Sequence, residues 1–118
     1  MDPIELTVDI LKENVLATVS TEMPKDRERP AHYVMVGLDG DVSTPLLLRP
    51  RLALTCWGTS DRDANQLAIS AIEALRDAAL DHPYLSACDL ETLSREEWSR
   101  NGQSRYLAII ELTINTDE

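Results

Sequence analysis

The stretch RPRLALTCWGTSDRDANQLAISAIEALRDAA, from Arg49 to Ala79, changes period partway along. Its first nine residues alternate in side-chain type, as a strand with two distinct faces requires. Leu52, Leu54 and Cys56 point one way, and Ala53, Thr55 and Trp57 the other. After Gly58 the period lengthens. Ala64, Leu67, Ala68, Ala71, Ile72, Leu75 and Ala79 form one stripe at helical spacing, opposite Asp61, Arg62, Asn65, Ser70, Glu73 and Arg76. Ser60, with Asp63 three positions on, has the signature of a helix start. A strand therefore runs almost directly into a capped helix, and the alanines in the stripe let that helix lie close against a sheet. Nothing at the junction has the composition of a catalytic loop.

The flanking sequence extends the same alternation. Asp2 caps a predicted helix that has Pro3 at its first position and closes near Asn14. VLATVSTEMP then reads as a strand ended by Pro24, and KDRERP as a charged loop. AHYVMVGL is a second strand with Val34, Val36 and Leu38 on one face and Tyr33 and Met35 on the other. DGDVSTP carries an Asp-Gly turn signal, and LLLRP extends the connection to the strand RLALTCWG. Beyond the second helix, DHP is a breaker and YLSACDLETL a fourth strand. In SREEWSRNGQ, Ser94 and Glu97 suggest a single capped helical turn. SRYLAIIELTIN closes the order as a long strand. Tyr106, Ala108, Ile110, Leu112 and Ile114 share one face; Leu107, Ile109, Glu111 and Thr113 share the other.

The order α-β-β-β-α-β-β predicts an α+β fold, a mainly antiparallel sheet with two α-helices packed on it. Several strands are apolar on both faces. Either the N-terminal helix and the 38–50 connection cover the remainder, or a partner surface does.

At 118 residues the chain suits one domain. Its net charge of −10 argues against gripping a nucleic-acid backbone or anionic lipid, both of which need clustered Lys and Arg. No apolar run approaches the ~20 residues of a membrane span. MDPIELTVDILKEN lacks the basic-then-apolar pattern of a secretory signal. The two cysteines, Cys56 and Cys88, lack metal-site spacing and read as buried thiols.

Candidate chemistry is sparse. A nucleophile–base pair needs a His beside Ser or Cys, and only His32 and His82 exist, without a surrounding motif. DGDVST resembles the opening of a calcium loop but lacks the repeated acidic positions and the closing Glu. No glycine-rich phosphate cradle occurs. The sequence thus offers no catalytic residue, no metal site and no cofactor site.

What stands out instead suits contact with other proteins. Lys25, Arg27 and Arg29 alternate with acids in the early loop, which could either neutralise itself or meet an acidic partner. Leu46, Leu47 and Leu48 stand together where polar residues are expected. Trp98 sits amid charges, as a plug for the end of the fold or an interface anchor. The competing reading is a small cytosolic binding or enzyme domain with a pocket between helix and sheet, for which only His32, Tyr33 and Asp39 offer polar groups.

Taken together, LKENVLATVSTEMPKDRERP, RPRLALTCWGTSDRDANQLAISAIEALRDA and SRYLAIIELTIN resemble the tail terminator (tail completion) proteins of siphophages and prophages. The resemblance implies a non-enzymatic virion tail part, assembled in the host bacterial cytoplasm. It implies that the chain binds itself as a ring, usually a hexamer, on the last ring of the tail-tube protein. That ring stops tube polymerisation and presents the surface that a head-completion or connector protein joins. DNA would pass through its lumen without sequence-specific contact, and no membrane is involved.

Overall fold

The computed structural model describes residues 2–22, 30–43, 47–96 and 104–115. Asp2 Oδ1 accepts the backbone N–H groups of Ile4 (2.9 Å) and Glu5 (3.4 Å), starting α1 over Pro3–Asn14. Val15 closes that helix by donating its N–H to the Leu11 carbonyl. The Ser60 side chain accepts the Asp63 N–H at 3.1 Å and opens α2 over Asp61–Ala79. The strands are β1 (Thr18–Ser20), β2 (Tyr33–Ser43), β3 (Leu47–Gly58), β4 (Leu85–Glu96) and β5 (Ser104–Asn115), in the chain order the sequence predicts. They form one sheet ordered β1-β2-β3-β5-β4, in which β1 pairs parallel to β2 and all other neighbours are antiparallel. The fold is α+β.

Both helices lie on the same face. The stripe of α2 packs on β3, β4 and β5, while α1 packs on α2, β1 and β2. Leu6, Ile10 and Leu11 of α1 share one core with Leu67, Ala68, Ala71, Ile72 and Leu75 of α2. The strands contribute Val34, Val36, Leu52, Leu54, Cys56, Ala108, Ile110, Leu112 and Ile114 to that core, every one from an alternate position. The alanines do as their size suggests: Ala64, Ala68 and Ala71 have no exposed surface. Gly58 marks the tightest approach. A Cβ there would sit 2.5 Å from the Ala64 nitrogen and 2.8 Å from its Cα, so only glycine lets the end of β3 turn under the first turn of α2.

Five local expectations are corrected. The early strand is short, Thr18–Ser20 rather than the whole of VLATVSTEMP, because residues 15–17 turn the chain out of α1. Asp39-Gly40 is not a hairpin turn. Leu38 pairs with Leu52 and Gly40 with Arg51, so Asp39 is the extra residue of a β-bulge and β2 continues to Ser43. LLRP belongs to β3 rather than to a connection, and Pro50 is fully buried within a central strand. The ladder accommodates it by omission: Leu48 pairs with Ile114 and Arg51 with Glu111, with no β5 partner at Arg49 or Pro50. Ser94–Glu96 are strand, paired with Leu107, Tyr106 and Arg105, so no helical turn starts at Ser94. Finally, residues 38–43 and 47–50 are part of the sheet and do not fold over it, while α1 sits on the face α2 already covers.

Candidate functional site

The face of the sheet opposite the helices is the feature left without a covering element among the described residues. Its side chains follow from the register. Met35, Thr55, Leu107 and Ser94 stand in one row across β2, β3, β5 and β4, with Gly37, Ala53, Ile109 and Thr92 in the next. Met35, Ala53, Leu107 and Ile109 are only partly buried and none belongs to the core. The result is an apolar band bounded by polar rows.

At one end, Tyr33 and Trp57 meet edge to face with ring centroids 5.8 Å apart, and both are buried. The Arg105 guanidinium lies 5.7 Å from the centre of the Trp57 ring, with its Nη2 3.8 Å from Glu96. The Tyr33 hydroxyl donates to the Glu22 carbonyl at 3.0 Å, tying residues 21–22 to this end. At the other end, Arg51 reaches across β5 to Glu91, 2.8 Å from Nε and 2.7 Å from Nη2, with Asp39 at 3.6 Å. Glu91 and Asp39 are both bulge residues, the former left over between the pairs Leu90–Ile110 and Thr92–Ile109. Alternation already puts these two carboxylates on the open face, and the bulges bring the residues that follow them, Gly40 and Thr92, onto it as well. Glu111 stands directly beside Arg51 and has no ion-pair partner of its own among the described residues.

Of the residues singled out in the sequence, Lys25, Arg27, Arg29, Leu46 and Trp98 lie outside the described residues. Leu47 and Leu48 begin β3, opposite Asn115 and Ile114. The three polar groups of the competing pocket reading do not converge. His32 pairs with α2, Tyr33 faces Trp57, and Asp39 is at the far end of the open face. His82 is a turn residue whose Nδ1 accepts the N–H groups of Tyr84 (3.1 Å) and Leu85 (3.2 Å).

One cluster goes beyond what the sequence indicates. Asp63 Oδ2 accepts from the Thr59 N–H and Oγ1, both at 2.9 Å, and lies 2.7 Å from His32 Nε2. Asp63 thus answers the Ser60 cap one residue earlier, at Thr59, and its carboxylate also holds the segment leading into β2. His32 and Asp63 line a groove of about 620 Å³ with Val15, Leu16, Gln66 and Leu67. Nothing in the sequence links His32 to a helix that starts some thirty residues later, so only the fold could reveal the pair.

Hydrogen bonds from the Thr59 backbone and hydroxyl, then His32, hold the Asp63 carboxyl below its ordinary 3.8. A carboxyl depressed on folding adds stability that is complete above its unfolded pKa and is lost as pH falls through the folded one. Thermal transitions of the wild type and Asp63→Asn should therefore differ by a constant amount above about pH 5 and converge in more acidic buffer. A gap that persists unchanged in acid would mean the carboxylate charge plays no part.

Both cysteines are buried free thiols. Burial pushes Cys56 up to about 12 and Cys88 to about 11, so neither forms a nucleophilic thiolate near neutral pH. Among the described residues no three His, Cys, Asp or Glu side chains are grouped to hold a metal ion, and no helix is long and apolar enough to cross a membrane. No protein-family model matches the chain, and no curated protein matches it.

Proposed function

We propose that this protein is a structural assembly subunit, a tail terminator that caps the tail tube of a siphophage as a ring. The observation that carries the reading is the one-sided placement of the helices, which leaves an apolar band on the other face of the sheet. An assembly part needs lateral surface and a stiff frame, whereas an enzyme needs ionisable groups converging on one place. His32, Tyr33 and Asp39 are held apart by the sheet, and the thiols are shielded. The strand-to-helix unit from β3 into α2, locked by Gly58 against Ala64, serves as the stiff wedge of a ring subunit. The net charge of −10 suits a wall past which DNA slides without sticking. The tail-tube protein and a head-completion protein are the partners on either side of the ring.

The test is electron microscopy of tail-tube protein polymerised with and without the purified chain. A terminator yields short tubes of even length bearing a ring at one end. Tubes that keep growing, with bare ends, would rule the function out.

A further inference from the structure

We infer that the open face of the sheet is a self-complementary surface that a second copy of this chain covers through a two-fold axis. The register supplies the reason. Place the axis parallel to the strands, above the line between β3 and β5, with the two sheets face to face in aligned packing. Position along the strands is kept and lateral order is reversed, so β3 of one copy lies over β5 of the other, and β2 over β4.

Size then matches across the contact. Leu107 and Ile109 of β5 project toward Thr55 and Ala53 of the facing β3. Met35 of β2 projects toward Ser94 of the facing β4, and Thr92 fills the space above Gly37, where an added Cβ meets nothing within 4 Å. Large residues stand over small ones along the whole band, as an interdigitated layer requires. Charge at the Arg51 corner is mixed, since each copy brings Asp39, Asp89, Glu91 and Glu111 against Arg49 and Arg51. The Arg51 row is opposed by itself with β3 and β5 exchanged, so each Arg51 meets the other copy's Glu111, a carboxylate without an ion-pair partner among the described residues of its own chain. The same operation carries Asp39 of each copy toward Glu91 of the other, a like-charge approach that Arg51, already 2.7 Å from its own Glu91, has to offset.

The contact is face to face because the edges are guarded. β4 is an outer strand interrupted by bulges at Ser86 and Glu91, and the part of β2 beyond its pairing with β1 is interrupted at Asp39. Four strands about 4.8 Å apart, over about seven residues of open band, offer on the order of 500 Å² per copy. That is about 1,000 Å² in total, the lower end of specific interfaces, so a reversible dimer with a micromolar Kd is expected. The dimer follows from the layout of the sheet and does not depend on the tube-capping role.

Sedimentation equilibrium on the full chain across the micromolar range tests it. The wild-type mass should rise from 13.2 kDa toward twice that value as concentration increases. Leu107→Asp should stay monomeric with an unchanged far-UV spectrum. Arg51→Glu should weaken association at least about tenfold, the scale of a lost charge pair at an interface. Adding Glu111→Arg to Arg51→Glu should restore it. A wild type that remains at 13.2 kDa overturns the inference. So does a mass that climbs past two subunits, a dimer that Leu107→Asp leaves intact, or a charge exchange that fails to rescue. The ring reading draws on the same band, so tube capping by a monomeric Leu107→Asp variant would separate the dimer from the ring.

Discussion

Ala71→Asp leaves the chain without a cooperative thermal transition. Ala71 lies mid-stripe on α2 with no exposed surface, in the same core as Ala68, Ile72, Leu75, Leu54 and Ile110. The new carboxylate has no cation to reach in that core. It must stay ionised in an apolar setting, at several kcal/mol, or take up a proton and remain unsatisfied at roughly 1–3 kcal/mol. Its volume adds a second penalty of about 1–3 kcal/mol, because the helix lies on the sheet at alanine distance. Against a total stability of about 5–15 kcal/mol for a domain of this kind, the sum removes most or all of the folded population. Far-UV circular dichroism on heating reads the result directly. Glu73→Lys, on the exposed side of the same helix, should fall within about 0.5 kcal/mol of wild type. A sharp transition for Ala71→Asp near the wild-type midpoint would mean that α2 does not rest on the sheet as described.

Gly58→Val should cost about 3 kcal/mol and lower the midpoint by roughly 10 °C or more. The contact at 2.5 Å is with backbone, the nitrogen and Cα of Ala64, which cannot rotate aside as a flexible side chain could. Either β3 withdraws from the helix or the first turn of α2 is displaced. The second route also strains the cap, since Ser60 and Asp63 hold that turn through hydrogen bonds of 2.9–3.1 Å. Gly58→Ala should show most of the same loss, because the clash begins at Cβ. Denaturant unfolding of the two variants provides the check, and Gly37→Ala serves as the contrast, since its Cβ enters open space. Equal stabilities for Gly58→Ala and Gly37→Ala would remove the close approach as an explanation for the glycine.

Elements that declare themselves through local periodicity were legible in the sequence. The buried positions of α2 are the predicted stripe, apart from half-buried Ala79, and β5 spans Ser104–Asn115 with Ala108, Ile110, Leu112 and Ile114 inward as the alternation requires. The features that depend on pairing between distant segments were not. A bulge is a count of residues against a partner strand, so Asp39, Ser86 and Glu91 carry no local mark of it. Asp-Gly and Arg-Pro both look like interruptions in isolation, yet β3 runs through Pro50 because neighbours on both sides hold it in the sheet. Two-sided apolar strands raised the question of what covers the second sheet face and left α1 with the 38–50 connection, or a partner, as the alternatives. That choice rests on α1 joining α2, a packing decision with no signature in either helix alone. Of the predicted contact residues, only Leu47 and Leu48 fall within the described residues, at the start of β3.

The position of β5 has a consequence for how the molecule comes into being. β5 sits between β3 and β4, and among the described residues it is the strand that pairs with both. Until residues 104–115 have left the ribosome, β4 can rest on α2 but has no strand to pair with, and the nascent polypeptide must wait with a half-built sheet exposed. Closing that gap is a long-range step, slow compared with forming either helix, and it makes the whole architecture depend on residues 104–115.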